Sequence, residues 1–185
     1  MIDDVLQELN DSIDKAMEAL ARELSKIRTG RAHPSILDRV RVDYYGVSTP
    51  ISQMANIGVP DATLLIIKPW EKTQLQPIDK AIRESGLGLN PQMDGEVVRV
   101  PIPPLTEERR KEMVKLTKRN GEDAKISIRQ HRRDAMDMIS EAVKEGEVGE
   151  DEAERGKKKV EEIVAEGQKR VDQTVADREE QIMEV

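Results

Sequence analysis

The chain has 185 residues, 36% of them charged and only 2% aromatic, with neither Phe nor Cys. The missing cysteines exclude disulfides, thiolate metal sites and a cysteine nucleophile, and no run approaches the roughly 20 apolar residues that span a bilayer. Acids outnumber bases 37 to 30, for a formal net charge of −7, and such a composition suits long solvated helices with narrow aliphatic seams better than a thick globular core.

Met1-Ile2-Asp3-Asp4 is acidic and lacks the basic and apolar regions of a secretory leader, so a cytoplasmic location is expected. Residues 3–28 read as an amphipathic helix, because Val5, Leu9, Ile13, Ala16, Leu20, Leu24 and Ile27 recur at steps of three or four. Thr29-Gly30 is expected to end it, with Gly30 as a left-handed cap, and His33-Pro34 prevents its immediate resumption.

From about 35 to 104 the texture changes, and every proline of the chain lies between 34 and 104. Val40 to Tyr45 alternates and then turns at Gly46, Thr63 to Ile67 is a short apolar run resembling a buried strand, and Val97 to Val100 alternates after Asp94-Gly95. Between them Ile78, Ala81 and Ile82 have helical spacing, closed by Gly86. These elements predict a small α/β unit of some 70 residues, near the lower limit for independent stability.

Helical period returns at Thr106, a fitting N-cap followed by Glu107 and Glu108, and runs to about Glu145. Met113, Leu116, Ala124, Ala135, Met138 and Ala142 are expected to line its apolar side. Gly146 and Gly149 bracket a tight turn, after which Val160, Ile163, Val164, Val171, Val175 and Ile182 share a face of a last helix. Two long helices joined by a few residues lie antiparallel, and the first helix supplies a third seam. The expected fold class is therefore α+β: a three-helix bundle discontinuous in sequence, residues 1–29 and 106–185, with a small β/α/β domain, 30–105, inserted. The double crossing, near Gly30 and near Pro103-Pro104-Leu105, permits a hinge while limiting its range.

The chemistry-bearing feature lies on the second helix. Lys111, Lys115, Lys118, Lys125, Arg129 and Arg132 follow at helical spacing and form one stripe, expected opposite the apolar side. Residues 107–133 hold ten Lys/Arg against five Asp/Glu, so an otherwise acidic chain concentrates cations in one place. Such a stripe points to a polyanion at a defined position. The alternative is a solvated face with i,i+4 ion pairs. That alternative suits residues 111–119, which have Glu108 and Glu112 nearby, better than Lys125, Arg129, Arg132 and Arg133, which meet no acid on their own face before Asp137. Arginine also suits bidentate phosphate contacts. A helical adapter whose partner is another protein remains open at this point, and salt-insensitive RNA binding would distinguish it.

His33 and His131 have no metal-ligand spacing, and His131 is expected to pack at the seam. Tyr44, Tyr45 and Trp70 could stack on bases, but core or boundary packing is the better expectation, with at most one of the two tyrosines inside. There is no phosphate-binding Gly-rich loop, no H-E-x-x-H and no nucleophile elbow in the sequence, so neither an active site nor a cofactor is expected.

Several segments, in order, resemble the bacterial ribosome recycling factor family: Ser25-Lys-Ile-Arg-Thr-Gly-Arg-Ala32, Asp43-Tyr-Tyr-Gly46, Leu87-Gly-Leu-Asn-Pro91, Pro104-Leu-Thr-Glu-Glu-Arg-Arg-Lys111 and Arg129-x-x-Arg-Arg133. The resemblance runs essentially from end to end and is looser in the last helix. It implies a three-helix bundle with a small β/α/β domain in an L-shaped, tRNA-like outline, and a monomer. It further implies a factor that acts with elongation factor G and GTP to split post-termination ribosomes, with the bundle across large-subunit ribosomal RNA. The RNA contacts it implies fall on Arg129, Arg132 and Arg133, then on Arg110 and on Arg28 or Arg31, while the stripe itself adds Lys125 and Lys118. The implied hinge is Thr29-Gly30-Arg31 with Pro104-Leu105-Thr106.

Overall fold

Aliphatic residues recurring every three or four positions make the first helix. In the computed structural model, which describes residues 1–184, α1 spans Ile2–Ser25 and buries Val5, Leu9, Ile13, Ala16, Leu20 and Leu24. It stops short of the expected residue 28. Lys26 is its C-cap, Ile27 stays buried as the chain turns, and Gly30 takes φ +76° in the connection beyond the helix rather than at its cap.

The chain then divides into two units, Met1–Thr29 with Glu107–Val185, and Gly30–Thr106. In the first, α3 spans Glu107–Lys144 and α4 spans Glu150–Met183. The turn between them closes as a Schellman motif: Glu147 N–H donates to the Ala142 carbonyl at 2.9 Å and Gly146 N–H to the Val143 carbonyl at 3.1 Å, with Gly146 at φ +74°.

Glycines report how closely the three helices pack. A Cβ on Gly156 would stand 2.9 Å from Ile2 Cγ2 and 3.5 Å from Ile139 Cδ1. One on Gly167 would stand 3.1 Å from Ile13 Cγ2 and 3.6 Å from Ile128 Cδ1. Each member of the second trio is 11 residues from its counterpart, three helical turns, rising along α1 and α4 and falling along α3. Thus α1 runs parallel to α4 and antiparallel to α3.

The seam of α3 differs from expectation. Thr117, Gly121, Ala124, Ile128, Ala135, Ile139 and Ala142 are buried, whereas Leu116 and Met138 are 37% and 44% exposed. Small residues let the helices approach, so Thr117 and Gly121 occupy positions that a search for bulky aliphatics passes over. On α4 the expected face holds, and Gly156 and Gly167 are buried with it.

The small unit contains more strand than expected. β1 (Arg41–Tyr44) and β2 (Val47–Pro50) form a hairpin whose turn residues, Tyr45 and Gly46, have φ of 50° and 83°, as a two-residue primed turn requires. β3 (Ala55–Asp61), β4 (Leu64–Pro69), β5 (Gln92–Asp94) and β6 (Val97–Pro101) make an antiparallel sheet in the order β3-β4-β6-β5. The inward residues of its central strands, Leu65, Ile67, Val98 and Val100, form one core with Ile78 and Ile82 of α2 (Leu75–Glu84), and all six are fully buried. β3 and β5 are edge strands, where Gly58, Pro60 and polar residues are tolerated and apolar alternation fades.

Both connections to the bundle are tied down at the same turn of this unit. Ala32 N–H donates to the Ala62 carbonyl and Ile102 N–H to the Thr63 carbonyl, each at 2.7 Å. On the bundle side, Arg178 Nη2 donates to the Leu24 and Ile27 carbonyls at 2.6 and 2.7 Å, supplying a cation and two hydrogen bonds to the open carbonyl end of α1. Among the described residues no helix is long and apolar enough to cross a membrane.

Candidate nucleic-acid interface

Lys125 and Arg132 each stand four residues past one buried seam residue (Gly121, Ile128) and three before another (Ile128, Ala135). At 3.6 residues per turn this places them at the border of the seam, and not on the opposite side as expected. Bordering the seam brings them within reach of α4. There, Ile126, Arg129, Arg132 and Arg133 face Glu161, Val164, Ala165 and Gln168 across an open groove of about 570 Å³.

The carboxylates around this groove overturn the pairing argument drawn from one helix alone. Lys125 Nζ lies 2.5 Å from Asp172 Oδ1, and Arg129 Nη2 donates to Glu122 Oε1 at 2.6 Å. Arg132 Nε donates to both Glu161 oxygens at 3.1 Å, and its Nη2 also donates to Glu161 Oε1. Two of the three acids come from α4, invisible to a reading of α3's own face, and Glu122 reaches two turns along α3. Arg133 alone of the four carries no ion pair among the described residues.

Pairing in the first half of the stripe is the sparser of the two. Lys111 pairs with Glu107 at 3.3 Å, whereas Lys115 and Lys118 are exposed and have no ion pair among the described residues. The hydrogen bond from Arg132 holds the Glu161 carboxyl below its ordinary range, and Glu161 in turn raises the guanidinium's already high value. Both side chains are still substantially open to water, at 39% for Arg132 and 49% for Glu161.

The remaining basic candidates stand outside the groove. Lys118 is 14 residues from Arg132 along α3 and Arg110 is 22, roughly 21 and 33 Å by helical rise. Arg110 is half-buried in the first turn of α3, and Arg28 is exposed just beyond α1. Since α1 and α3 are antiparallel, these two lie toward the same end of the bundle. Arg31 belongs to the small unit. Of the eight candidates, then, Arg129, Arg132 and Arg133 converge, Lys125 continues their stripe, and Lys118, Arg110, Arg28 and Arg31 stand apart. Gln168 of α4 lines the groove and carried no charge signal that sequence reasoning could use.

His131 is half-buried at the seam border, as expected. The aromatic residues are not. Tyr45 is 73% and Trp70 64% exposed, and only Tyr44 packs partly against the small core. The primed turn turns Tyr45 outward, where its ring meets Tyr44 edge-on at 4.7 Å. Both hydroxyls donate to one carboxylate, Tyr44 to Glu71 Oε1 at 2.6 Å and Tyr45 to Oε2 at 2.8 Å. Those hydrogen bonds hold both phenols above their ordinary range and Glu71 below its own.

The fold is thus a three-helix bundle discontinuous in sequence with a small α/β unit inserted, and its α3–α4 groove brings Arg129, Arg132 and Arg133 together. The ribosome recycling factor family model matches residues 20–183. A ribosome-recycling factor of Sorangium cellulosum is 60% identical over 185 residues, the whole of both chains, and one of Brevibacillus brevis is 49% identical over 98% of each. Among solved structures, a ribosome recycling factor in solution matches with TM-score 0.74 at 35% identity, covering 100% of this chain and 98% of that one. Another, of the T. thermophilus factor and E. coli elongation factor G bound to the E. coli post-termination complex, matches with TM-score 0.64 at 36% identity over the full length of both chains. The chain belongs to the ribosome recycling factor family, and is accordingly a non-enzymatic translation factor.

Proposed function

We propose that the bundle docks on large-subunit ribosomal RNA through the groove between α3 and α4, and that the small unit is a hinged arm. With elongation factor G and GTP, the docked factor splits post-termination ribosomes into subunits in the cytoplasm. Arg132, flanked by Arg129 and Arg133, grips phosphate, with Lys125 and Lys118 extending the contact along α3 and Arg110, Arg28 and Arg31 serving the far end. Such contacts position without reading sequence, as a factor acting on every terminated ribosome requires.

The observation that carries this reading is the convergence of three arginines on one open groove. Arg132 keeps its Nη1 edge without an intramolecular partner among the described residues, which leaves a planar donor edge for a phosphate. The hinge assignment rests on the two fixed ends. Arg178 secures the bundle up to Ile27, and the β3–β4 turn secures the small unit from Ala32 and up to Ile102. Between these fixed ends run Thr29, Gly30 and Arg31 on one crossing and Pro104, Leu105 and Thr106 on the other.

Cosedimentation with 70S ribosomes across a salt series tests the grip. Arg132→Ala should weaken binding and lower the salt slope by roughly one, the share of a single lost phosphate contact. Unchanged affinity with an unchanged slope would remove Arg132 from the interface.

A further inference from the structure

Of the three arginines that line the groove and Lys125 beside them, all but Arg133 are already paired with the protein's own acids. That arrangement is costly for an RNA-gripping face unless weakened binding is useful. We propose that Glu161, together with Asp172 and Glu122, is a built-in counter-ion set that competes with RNA phosphate for Arg132, Lys125 and Arg129, and so keeps docking reversible. The inference rests on the groove being the RNA-docking face.

The geometry of Arg132 makes the competition direct. Glu161 occupies Nε and Nη2, the edge that would otherwise offer a phosphate two parallel hydrogen bonds. A phosphate that takes this edge must displace Glu161. One that takes the Nη1 side leaves a carboxylate on the far side of the same guanidinium, where it withdraws part of the cation's field. Asp172 holds Lys125 at 2.5 Å in the same manner, again from α4.

These pairs are built for exchange. All three acids are well exposed, at 49% for Glu161, 65% for Asp172 and 56% for Glu122, so opening them disturbs no core. Exposed ion pairs of this kind contribute little to folding. Their effect falls on binding instead: each carboxylate released by an incoming phosphate attracts cations from solution, which offsets counterion release from the RNA.

The test is 70S cosedimentation over a salt series with Glu161→Gln, which keeps the side chain's shape and removes its charge. Glu162→Gln is the control, since Glu162 is an exposed neighbour with no ion pair among the described residues, and Arg132→Ala is run alongside. Glu161→Gln should tighten binding at low salt by roughly three- to tenfold and steepen the salt slope by roughly 0.7–0.9, with Glu162→Gln giving a distinctly smaller gain. Unchanged or weaker binding, or a gain no larger than that of Glu162→Gln, would overturn the inference. If Arg132→Ala weakens binding while Glu161→Gln fails to tighten it, the docking face stands and the counter-ion role alone is lost. If Arg132→Ala has no effect, the docking face itself is wrong and the inference falls with it.

Discussion

At the scale of single residues, the Tyr44–Tyr45–Glu71 brace shows how charge and strain hold an exposed feature in place. Tyr45 sits at φ 50°, a conformation unusual outside glycine, and its hydroxyl is fixed to the carboxylate that also takes Tyr44. A phenol that donates to a carboxylate gives up its proton less readily, and the carboxylate holding two such donors resists protonation. The brace is therefore complete at neutral pH. It is lost in acid as pH falls through the lowered Glu71 value, and in alkali as pH rises through the raised tyrosine values. The chain has only these two tyrosines, so absorbance titration reads them alone. Their midpoint should lie above the ordinary tyrosine value of about 10 and fall back toward it in Glu71→Gln; an unshifted midpoint in the parent chain would contradict the brace. In the sequence, Tyr44 and Tyr45 stood out but their exposure did not. Alternation put at most one of them inside, while the primed turn that rotates Tyr45 outward depends on pairing with β2, a strand of exposed and half-exposed residues.

At the scale of elements, the helices were legible where bulky aliphatics repeat and obscure where packing relies on small residues. The faces of α1 and α4 follow directly from their periodicity. The seam of α3 does not, since Thr117 and Gly121 are buried while Leu116 and Met138 face water. The same displacement of the seam explains why the basic stripe borders α4 and meets its acids. Only a third dimension supplies Glu161 and Asp172, because their positions on α4 say nothing of α3 until the helices are docked. Close packing at Gly121 has a measurable consequence. A Cβ there would lie 2.5 Å from Cγ2 of Val175, a β-branched side chain with little rotamer freedom. Gly121→Ala gains helix propensity of about 1 kcal/mol but incurs overpacking of roughly 1–3, so a net loss of about 1 kcal/mol is expected in urea unfolding. A rise in the unfolding midpoint would show that the α3–α4 contact is looser than described.

At the scale of the whole molecule, a discontinuous bundle with an inserted small unit was readable from two features: helical period on both sides, and the confinement of every proline between 34 and 104. The anchoring of the crossings was not readable, because Arg178, Ala62 and Thr63 act through hydrogen bonds to distant backbone. These anchors leave two short stretches as the place where an arm would move. Gly30 within them has φ +76° and sits with its Cα side 3.2 Å, by a notional Cβ, from Leu105 Cγ. Inserting Gly-Gly between Pro103 and Pro104 should leave 70S cosedimentation unchanged and slow subunit splitting with elongation factor G, followed by light scattering, since a slackened connection transmits less of the motor's motion. Splitting at the parent rate would mean that the small unit is not acting as a lever.

The proposed placement of the α3–α4 groove against ribosomal RNA is directly testable, because the chain has no cysteine of its own. A single cysteine replacing Gln168, which lines the groove, or Glu18, exposed on α1 away from it, can carry a tethered hydroxyl-radical source. On 70S ribosomes the probe at Gln168→Cys should cleave large-subunit RNA strongly, and the probe at Glu18→Cys weakly. Cleavage that is equal from both positions, or stronger from Glu18→Cys, would contradict the account.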